Sequence, residues 1–498
     1  MQAQRVDQLP DDKPGDDCAV VDCDGRRYDY GALRRIVANL ADELARHGVG
    51  AGDRIVIAAE NSMLFVAAFL AVIRLEASSV PVNARLSAAE FDGIVSHCEP
   101  RCILFVTSFS NASQDHAERV GAAHAPSFDG IMMLMCPEVG AGQKGRTDEA
   151  PGGFAAMVYT SGTTGRPKGV MLSHRSLLFN ARGAARMRNL GPGDQLLLAL
   201  PCTHIMALSA CLLPVLHAGA SLRLLPRFTP ERMLAGLAEG ATIMPAVPAM
   251  YDQILAHLDR GAAELRTPRL KQIGSGGAPL DPTWKARIEQ RFGMPLHNSY
   301  GMTEAGPGIS STMLGRARSD SSVGYVFPGC QVRLADKRAD GVGELQIGGP
   351  NIMDGYFRDE PGTRAAITDD GYLRTGDLAR IDADGAIHIV GRVKEMIIRS
   401  GFNIYPAEVE AVISSCPGVA QVAVVGRPVP GNEEVVAFVS GDDRATAEAL
   451  RIWCDGRLTA YKKPQHFITV ADFPMTAAGK VRKPELLKQY GDLLPAVG

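Results

Sequence analysis

Apolar residues recur at three- and four-residue steps from Asp29 to the glycines at 48 and 50. This spacing predicts an amphipathic helix that begins at Asp29. The apolar run 54–59 then predicts a buried strand. A second helix is expected after its cap at 61–62, extending to residue 74, and a short strand at 79–82.

Strands that alternate with helices favour an α/β fold built around a largely parallel sheet. Further strand-like segments continue the alternation at 195–200, 221–225, 241–245 and 270–274. Residues 140–153 are rich in glycine and charge, which predicts a loop. The expected architecture is a large N-terminal α/β domain with layered sheets and helices.

The pattern changes after about residue 392. Helices are predicted at 406–415 and 446–458, and strands at 419–425, 434–440 and 466–470. These segments are enough for a separate α+β domain of about a hundred residues. We therefore predict an N-terminal domain at 1–392 and a small mobile domain at 393–498.

Composition narrows the class of protein. A length of 498 residues exceeds what one hydrophobic core fills, and 46% hydrophobic with 21% charged residues is typical of globular proteins. A formal charge of −3 predicts no bulk attraction to nucleic acid. The longest apolar run, 63–73, is too short to span a bilayer, and the N-terminus does not resemble a signal peptide. Without Cys-x-x-Cys pairs the ten cysteines predict reduced thiols, and we expect a cytoplasmic protein with no integral membrane association.

The most informative motif is YTSGTTGRPKG at 159–169, directly after an apolar stretch. Small hydroxyl residues and glycines leave backbone N–H groups open, as a phosphate cradle requires, and Lys168 adds a positive charge. The spacing does not fit a Walker A loop.

This motif closely resembles the signature loop of the adenylate-forming superfamily, which includes acyl- and aryl-CoA synthetases, nonribosomal-peptide adenylation domains and beetle luciferases. Other motifs follow in the family's order along nearly the whole chain: VPVN at 80–83, GSGGAP at 274–279, NSYGMTE at 298–304, GEL at 343–345, GP at 349–350, GY at 355–356, YLRTGD at 372–377, GRVKEMI at 391–397, SGFNIYP at 400–406 and GK at 479–480. The resemblance implies an acyl-CoA synthetase that uses ATP, Mg²⁺ and coenzyme A to convert a carboxylic acid into its thioester through an acyl-adenylate.

The resemblance also implies roles for individual residues in the nucleotide site. Tyr300 would stack on adenine, Asn298 would bond its amine, and Asp377 with Arg392 would hold the ribose. Thr303 would bond the α-phosphate, and Glu304 with Thr160 would hold Mg²⁺. The full predicted ATP site comprises Thr160, Ser161, Gly162, Thr163, Thr164, Gly165, Gly277, Ala278, Pro279, Asn298, Ser299, Tyr300, Gly301, Met302, Asp377 and Arg392, with Lys168, Thr303, Glu304 and Lys480 as catalytic residues.

Lys480 follows Pro474-Met-Thr-Ala-Ala at the family's offset and would neutralise charge at the α-phosphate. The family rotates its small domain between the two half-reactions, about the residue that is Lys394 here. Gly391 and Lys394 would form this hinge, and Ser400, Gly401 and Phe402 would line the coenzyme A channel.

The acyl pocket is expected to include His204, Ile205, Met206 and Ile309. The family's Pro-x-Phe/Tyr-His-x-x-Gly is modified here, with Thr203 and Ala207 at the aromatic and glycine positions, which leaves the pocket size open. Apolar lining suggests an uncharged tail. Malonyl-CoA synthetases place an arginine where Ser299 stands, which disfavours malonate. Fatty, small aromatic and alicyclic acids stay open, with a slight preference for fatty acids from the SGFNIYP stretch.

Two alternatives remain. A stand-alone adenylation enzyme could load an acyl or aryl acid onto a carrier protein, although the aspartate typical of amino-acid activators is missing between Pro201 and Leu213. A non-catalytic nucleotide-binding homologue would be expected to lack Lys480, Glu304 or Asp377, and all three are present. Whether the protein is a homodimer is left open.

Overall fold

A computed structural model describes residues 3–125, 130–136, 153–160, 167–261, 264–314, 317–400, 402–430, 432–475 and 481–495. Within these ranges the chain forms a large N-terminal and a smaller C-terminal domain of mixed α/β structure. The predicted fold class is confirmed. The position of the domain boundary at 392/393 stays a prediction.

The first large sheet of the described chain has parallel strands at its centre and antiparallel strands at both edges. Its neighbouring strands, in spatial order, are Tyr325–Val326, Gly308–Ser311, Leu296–Gly301, Gln272–Gly276, Ile243–Ala246, Gln195–Leu198, Ser221–Leu224, Cys18–Val21 and Arg27–Asp29.

The second large sheet includes the two strands that flank the predicted phosphate cradle in the sequence. In spatial order its strands are Gly355–Tyr356, Lys168–Leu172, Ala156–Thr160, Ser78–Asn83, Arg54–Ala59, Cys102–Val106, Ile131–Met135 and Ala123–His124. The central strands 54–59, 78–83 and 102–106 are parallel, as the strand–helix alternation predicted.

Helices cover the faces of these sheets and supply most of the core. The helix Met63–Arg74 is buried at every position from Phe65 to Ile73, as expected of a helix that is apolar on all sides. The helices of the large domain are Tyr30–Arg46, Met63–Arg74, Ala88–Cys98, Asn111–Arg119, His174–Met187, Ile205–Ala207, Leu213–Ala218, Pro230–Ala238, Pro248–Asp259, Pro282–Phe292 and Glu360–Ala366, with a π-helical turn at Leu208–Leu212. In the part of the chain that the structure covers, we find no helix with the length and apolar character needed to cross a membrane.

An antiparallel sheet of four strands, Gln331–Ala335, Gly343–Gly348, Leu373–Ile381 and Ile387–Arg392, leads to the small domain. The small domain contains the hairpin Ile397–Arg399 and Phe402–Ile404 and the sheet Val419–Val429, Asn432–Gly441 and His466–Thr469. Its helices are Pro406–Ser414, Ala447–Cys454 and Lys483–Tyr490.

Candidate active site

The described ends of the phosphate-cradle motif lie on two paired β-strands. The antiparallel strands Ala156–Thr160 and Lys168–Leu172 pair in a register that sets Thr160 opposite Lys168. Both residues are half-buried. The predicted cradle residues Ser161, Gly162, Thr163, Thr164 and Gly165 lie outside the described residues, and the two strands fix both ends of their segment.

Lys168 and Glu304 are brought together by a third side chain, Tyr356. The phenol of Tyr356 donates a hydrogen bond to Oε1 of Glu304 at 2.8 Å. The Nζ of Lys168 lies 4.3 Å from the centroid of the Tyr356 ring and 3.5 Å from a carboxylate oxygen of Asp359. Burial, followed by the charge of Glu304, raises the pKa of Tyr356, so the phenol keeps its proton and acts as donor.

The predicted ribose residues are also in contact. Asp377 and Arg392 are paired residues of two adjacent antiparallel strands. Oδ1 of Asp377 accepts a hydrogen bond from Nε of Arg392 at 3.0 Å, and Oδ2 accepts one from the hydroxyl of Tyr300 at 2.5 Å. Asp377 is only 5% exposed. Burial and the nearby Asp377 charge raise the pKa of Tyr300 well above its usual value.

Asn298 is buried beside these residues and has its amide orientation fixed. Its Nδ2 donates to the carbonyl of Ser322 at 3.2 Å, and its backbone N–H donates to the hydroxyl of Thr312 at 2.9 Å. With the amide nitrogen engaged in this way, Oδ1 is the atom that can accept from an amine.

The loop after the strand Gln272–Gly276 is open to solvent. Gly277, with a φ of +79°, begins it, and Ala278 and Pro279 are exposed beside it. In the Asn298–Glu304 motif, Gly301 is exposed and Met302 is half-buried, whereas Thr303 is buried. The predicted nucleotide loops therefore present both exposed backbone and a buried hydroxyl.

The predicted acyl-pocket residues separate into two groups. Met206 is half-buried and lies against the nucleotide loop: a Cβ on Gly276 would be 3.3 Å from Cε of Met206 and 3.3 Å from the carbonyl oxygen of Ser299. Ile205 and Ile309, in contrast, are 2% and 0% exposed and belong to the main hydrophobic core. In this structure both side chains pack in the core beneath the predicted acyl pocket and do not line an open surface.

Two polar residues flank this region. His204 is exposed, and its Nδ1 accepts a hydrogen bond from the backbone N–H of Met206 at 3.4 Å, at the start of a short helix. The hydroxyl of Ser299 is half-buried and lies 3.0 Å from the hydroxyl of Ser311 on the neighbouring strand. Position 299, where the sequence comparison placed the arginine of malonyl-CoA synthetases, therefore carries a neutral hydroxyl that pairs with another hydroxyl.

The predicted hinge coincides with the end of a strand. Gly391 lies in the strand Ile387–Arg392, and Lys394 lies in the 3₁₀ turn Val393–Glu395 that follows directly. The side chain of Glu395 accepts from Nζ of Lys483 at 2.9 Å, and Lys483 also contacts Glu410 at 2.8 Å. These ion pairs hold the second half of the turn to the small domain.

Tyr405 joins the two sides of this hinge. Its side chain is buried beside Val342, its hydroxyl accepts from Arg338 at 3.0 Å, and it donates to Asp340 at 3.1 Å. A Cβ on Gly391 would lie 3.6 Å from the Cβ of Tyr405. A rotation about Lys394 would have to break these contacts.

The predicted coenzyme A channel residues lie on the surface of the small domain. Ser400 has a φ of +52°, and its backbone N–H donates to Asn432 Oδ1 at 2.7 Å. Phe402 is 52% exposed and stacks on Tyr461, with ring centroids 4.5 Å apart. Gly401 lies outside the described residues.

Lys480 also lies outside the described residues, but the residues that flank this segment are in contact. Met475 and Val481 form an antiparallel bridge, and the backbone N–H of Arg482 donates to the carbonyl of Pro474 at 2.7 Å. The helix that contains Lys483 begins immediately afterwards.

The donor set beside Lys168 fits Mg²⁺ that arrives with a nucleotide. Oε1 of Glu304 accepts from Tyr356, which leaves the other carboxylate oxygen for a cation. Among the described residues, His, Cys, Asp and Glu side chains form no group of three or more able to hold a metal ion. Mg²⁺ is usually bound by one or two carboxylates together with substrate phosphates, which matches this arrangement.

Several contacts could not be predicted from the sequence motifs. Tyr356 belongs to a matched motif for which no role was expected, and its partner Glu304 is 52 residues away. Asn180 fixes the turn that carries Thr303 and Glu304: its Nδ2 donates to the carbonyl of Ala305 at 3.3 Å and its Oδ1 accepts from the N–H of Gly308 at 2.8 Å. No periodicity indicates such contacts, although the Gly355–Tyr356 motif match did mark the segment.

Comparison with known families agrees with this arrangement. Residues 7–357 match the AMP-binding enzyme family, and residues 408–480 match the AMP-binding enzyme C-terminal domain. A nucleotide-binding domain followed by this smaller domain defines an adenylate-forming enzyme. The chain belongs to the AMP-binding enzyme family.

Relatives with named activities cover almost the whole chain. Feruloyl-CoA synthase from Amycolatopsis sp is 34% identical over 486 residues, which span 94% of this chain and 95% of that protein. Indoleacetate–CoA ligase from Aromatoleum aromaticum is 33% identical and covers 93% of each chain. The crystal structure of ATP-bound MatB from Rhodopseudomonas palustris has a TM-score of 0.84 at 30% identity, covering 98% of this chain and 99% of that one.

The predicted enzyme class and cofactors are confirmed by these relatives. The protein is an acid–thiol ligase of the AMP-forming type, and its reaction uses ATP, Mg²⁺ and coenzyme A. The acid proceeds to its thioester through an adenylate.

Proposed function

We propose that this ligase converts a monocarboxylic acid with an uncharged tail into its coenzyme A thioester. The observation that carries the proposal is the hydroxyl pair of Ser299 and Ser311, 3.0 Å apart on two adjacent strands, where the Ser299 backbone lies against Gly276 and Met206. A second carboxylate on the substrate would need a cationic partner to be buried there. Ser299 supplies a neutral hydroxyl at that position.

Tyr300, Asn298 and Asp377 form the nucleotide-recognition part of the proposal. Asp377 has about four acceptor sites, of which Tyr300 and Arg392 use two, so two stay available for the two ribose hydroxyls. Oδ1 of Asn298 would accept from the adenine amine, and the Tyr300 ring would stack on the base.

Lys168, Thr303, Glu304 and Lys480 form the charge-stabilising part. When the carboxylate attacks the α-phosphorus, negative charge grows on the phosphate oxygens and on the departing pyrophosphate. Lys168 and Lys480 would oppose that charge, and Thr303 would donate to an α-phosphate oxygen. Mg²⁺, held by Glu304 with Thr160 nearby, would neutralise charge shared between the phosphates.

The hinge at Gly391 and Lys394 would let the small domain take a different orientation for the second half-reaction. Adenylation needs Lys480 at the phosphates, whereas thioester formation needs the pantetheine arm to enter. Rotation of the small domain would withdraw Lys480 and bring Ser400, Gly401 and Phe402 to the channel, with Tyr405 released from Arg338.

Aromatic acids are the first candidates for the substrate. The relatives named for ferulate and indoleacetate both act, by their names, on acids with an aromatic tail, and they match more than nine-tenths of this chain. Medium- and long-chain fatty acids are the second class, supported by a 31% identical relative named as a long-chain-fatty-acid–CoA ligase.

A panel of acids tests the proposal. Pyrophosphate release would be measured with ATP and coenzyme A against hydroxycinnamic, arylacetic, medium-chain, long-chain and dicarboxylic acids. We expect turnover with one of the uncharged-tail classes and none with malonate. A clear preference for a dicarboxylic acid would contradict the proposal. Replacing coenzyme A by a phosphopantetheinylated carrier protein should leave the adenylate untransferred, and efficient loading of the carrier would contradict the assignment of the thiol.

A further inference from the structure

Tyr356 contacts both of the charged groups proposed to act on the triphosphate, Lys168 and Glu304. We infer that Tyr356 is a positioning residue, which fixes the Glu304 carboxylate for Mg²⁺ through its hydroxyl and holds the Lys168 ammonium through its ring. The inference rests on the proposed role of Glu304 as the Mg²⁺ ligand.

The strand register explains why the ring meets Lys168. The short strand Gly355–Tyr356 pairs antiparallel with Lys168–Leu172, and Tyr356 lies opposite Val170. Lys168 is two residues from Val170 and therefore points to the same face of the sheet, diagonal to Tyr356. The result is the 4.3 Å separation between Nζ and the ring centroid. A shift of one residue in register would turn the ring to the opposite face.

The backbone around Tyr356 is fixed to the Glu304 turn and to the next helix. The N–H of Met353 donates to the carbonyl of Glu304 at 2.9 Å. The N–H of Tyr356 donates to the hydroxyl of Thr363 at 2.9 Å. With the main chain held at both points, the phenol donates to Oε1 of Glu304.

This geometry defines what the hydroxyl contributes. A carboxylate with one oxygen engaged by a phenol presents the other oxygen in a fixed orientation. Partners of this kind orient metal-binding carboxylates, and their loss commonly weakens metal affinity about 10- to 100-fold. The ring has a separate effect, because it holds the Lys168 ammonium by a cation–π contact in addition to the ion pair of Lys168 with Asp359 at 3.5 Å.

Two variants of Tyr356 separate the two contacts. Tyr356→Phe removes the hydroxyl and keeps the ring over Lys168, whereas Tyr356→Leu removes both. Tyr325→Phe is the matched control, because the hydroxyl of Tyr325 also donates to a carboxylate, that of Asp384 at 3.1 Å, outside the proposed site.

The measurement is calorimetric binding of α,β-methylene-ATP, first with Mg²⁺ and then with EDTA. For Tyr356→Phe we expect the affinity in Mg²⁺ to fall about tenfold, while the affinity in EDTA stays within about twofold of the unmodified protein. Tyr356→Leu should weaken binding under both conditions, and Tyr325→Phe should change neither. Equal affinities for Tyr356→Phe and the unmodified protein in Mg²⁺ would overturn the inference.

Glu304→Gln distinguishes this inference from the proposed function. If Glu304→Gln loses the advantage that Mg²⁺ gives and Tyr356→Phe does not, only the positioning role of Tyr356 is wrong. If Glu304→Gln also keeps the full advantage, the assignment of Glu304 as Mg²⁺ ligand fails, and the inference fails with it. Thermal melts of each variant show whether a loss of binding comes from unfolding.

Discussion

Asp377→Asn is the most direct perturbation of the proposed ribose site. The wild-type carboxylate accepts from Arg392 at 3.0 Å and from Tyr300 at 2.5 Å, and it is buried. Asparagine keeps the shape and one oxygen but replaces the other oxygen with an amide nitrogen. That nitrogen cannot accept from either partner or from a ribose hydroxyl.

The structure gives the size of the expected effect. One charge-assisted hydrogen bond to the ribose is lost, which costs about 1.5–3 kcal/mol. The Arg392 side chain is 56% exposed, so solvent weakens its electrostatic interaction with Asp377. The lower half of that energy range therefore applies. At about 1.4 kcal/mol for each factor of ten, the KM for ATP should rise about 10- to 40-fold. Because the ribose contacts are the same in ground and transition states, kcat should change little.

Initial rates of pyrophosphate release over a range of ATP concentrations provide the assay. Asp382→Asn is the matched control, since Asp382 also accepts from an arginine, Arg318 at 3.2 Å, at the far end of the same hairpin. Its KM for ATP should equal that of the unmodified enzyme. An unchanged KM in Asp377→Asn, or a loss confined to kcat, would refute the ribose assignment.

Three other predictions concern stability, the catalytic lysine and the hinge. Burial, and then the charge of Arg5, lower the pKa of His174 from 6.5 to about 4. Between these pH values the imidazole is protonated in the unfolded chain and neutral in the folded protein. The contribution of the neutral His174 to the free energy of unfolding should therefore be fully present above about pH 6.5 and fall by about 3 kcal/mol as the pH drops toward 4. In thermal melts of His174→Gln, this dependence of stability on pH should be lost. An unaltered dependence would contradict the reasoning. Lys480→Ala should slow adenylation about a hundredfold or more and spare thioester formation from preformed adenylate, so equal damage to both steps would argue against its role. Gly391→Cys combined with Tyr405→Cys places two Cβ atoms about 3.6 Å apart, which is within disulfide range. The oxidised protein should perform only one half-reaction, and dithiothreitol should restore the other. Activity in both half-reactions while the protein is oxidised would rule out the hinge.

Local sequence signals predicted two helices and two strands between residues 29 and 83 closely, but not the strands Cys18–Val21 and Arg27–Asp29 or the helix Ala88–Cys98. The helix Tyr30–Arg46 begins after Asp29, whose side chain accepts from the N–H of Ala32, and Met63–Arg74 begins after Ser62, which caps it in the same way. Caps and apolar periodicity act within a few residues, so they are readable from the chain alone.

Element ends in the small domain were predicted less well. The strand expected at 419–425 extends to Val429, because its partner Asn432–Gly441 pairs with it almost along its full length. The helix expected at 446–458 ends at Cys454. Such limits depend on tertiary pairing, which propensity does not contain. The four-stranded sheet that carries Asp377 and Arg392 was not expected for the same reason.

Motif resemblance identified residues that the fold brings together, and geometry added their partners. Asp377 and Arg392 are 15 residues apart and meet through strand register, while Tyr300 is 77 residues from Asp377. The motifs indicated all three residues but not that the Tyr300 hydroxyl donates to the carboxylate. The contacts of Tyr356, Tyr405 and Lys483 depend on the packing of segments distant in sequence, which local patterns do not encode.

The central claim is that this site directs a carboxylate onto the α-phosphorus of ATP, and isotope transfer measures that step. The accepted acid would be supplied with ¹⁸O in both carboxylate oxygens, together with ATP, Mg²⁺ and coenzyme A, and the products analysed by mass spectrometry. One labelled oxygen should leave with AMP and the other should stay in the thioester carbonyl, with pyrophosphate unlabelled. Formation of ADP and orthophosphate without AMP, or AMP that carries no label, would contradict the account.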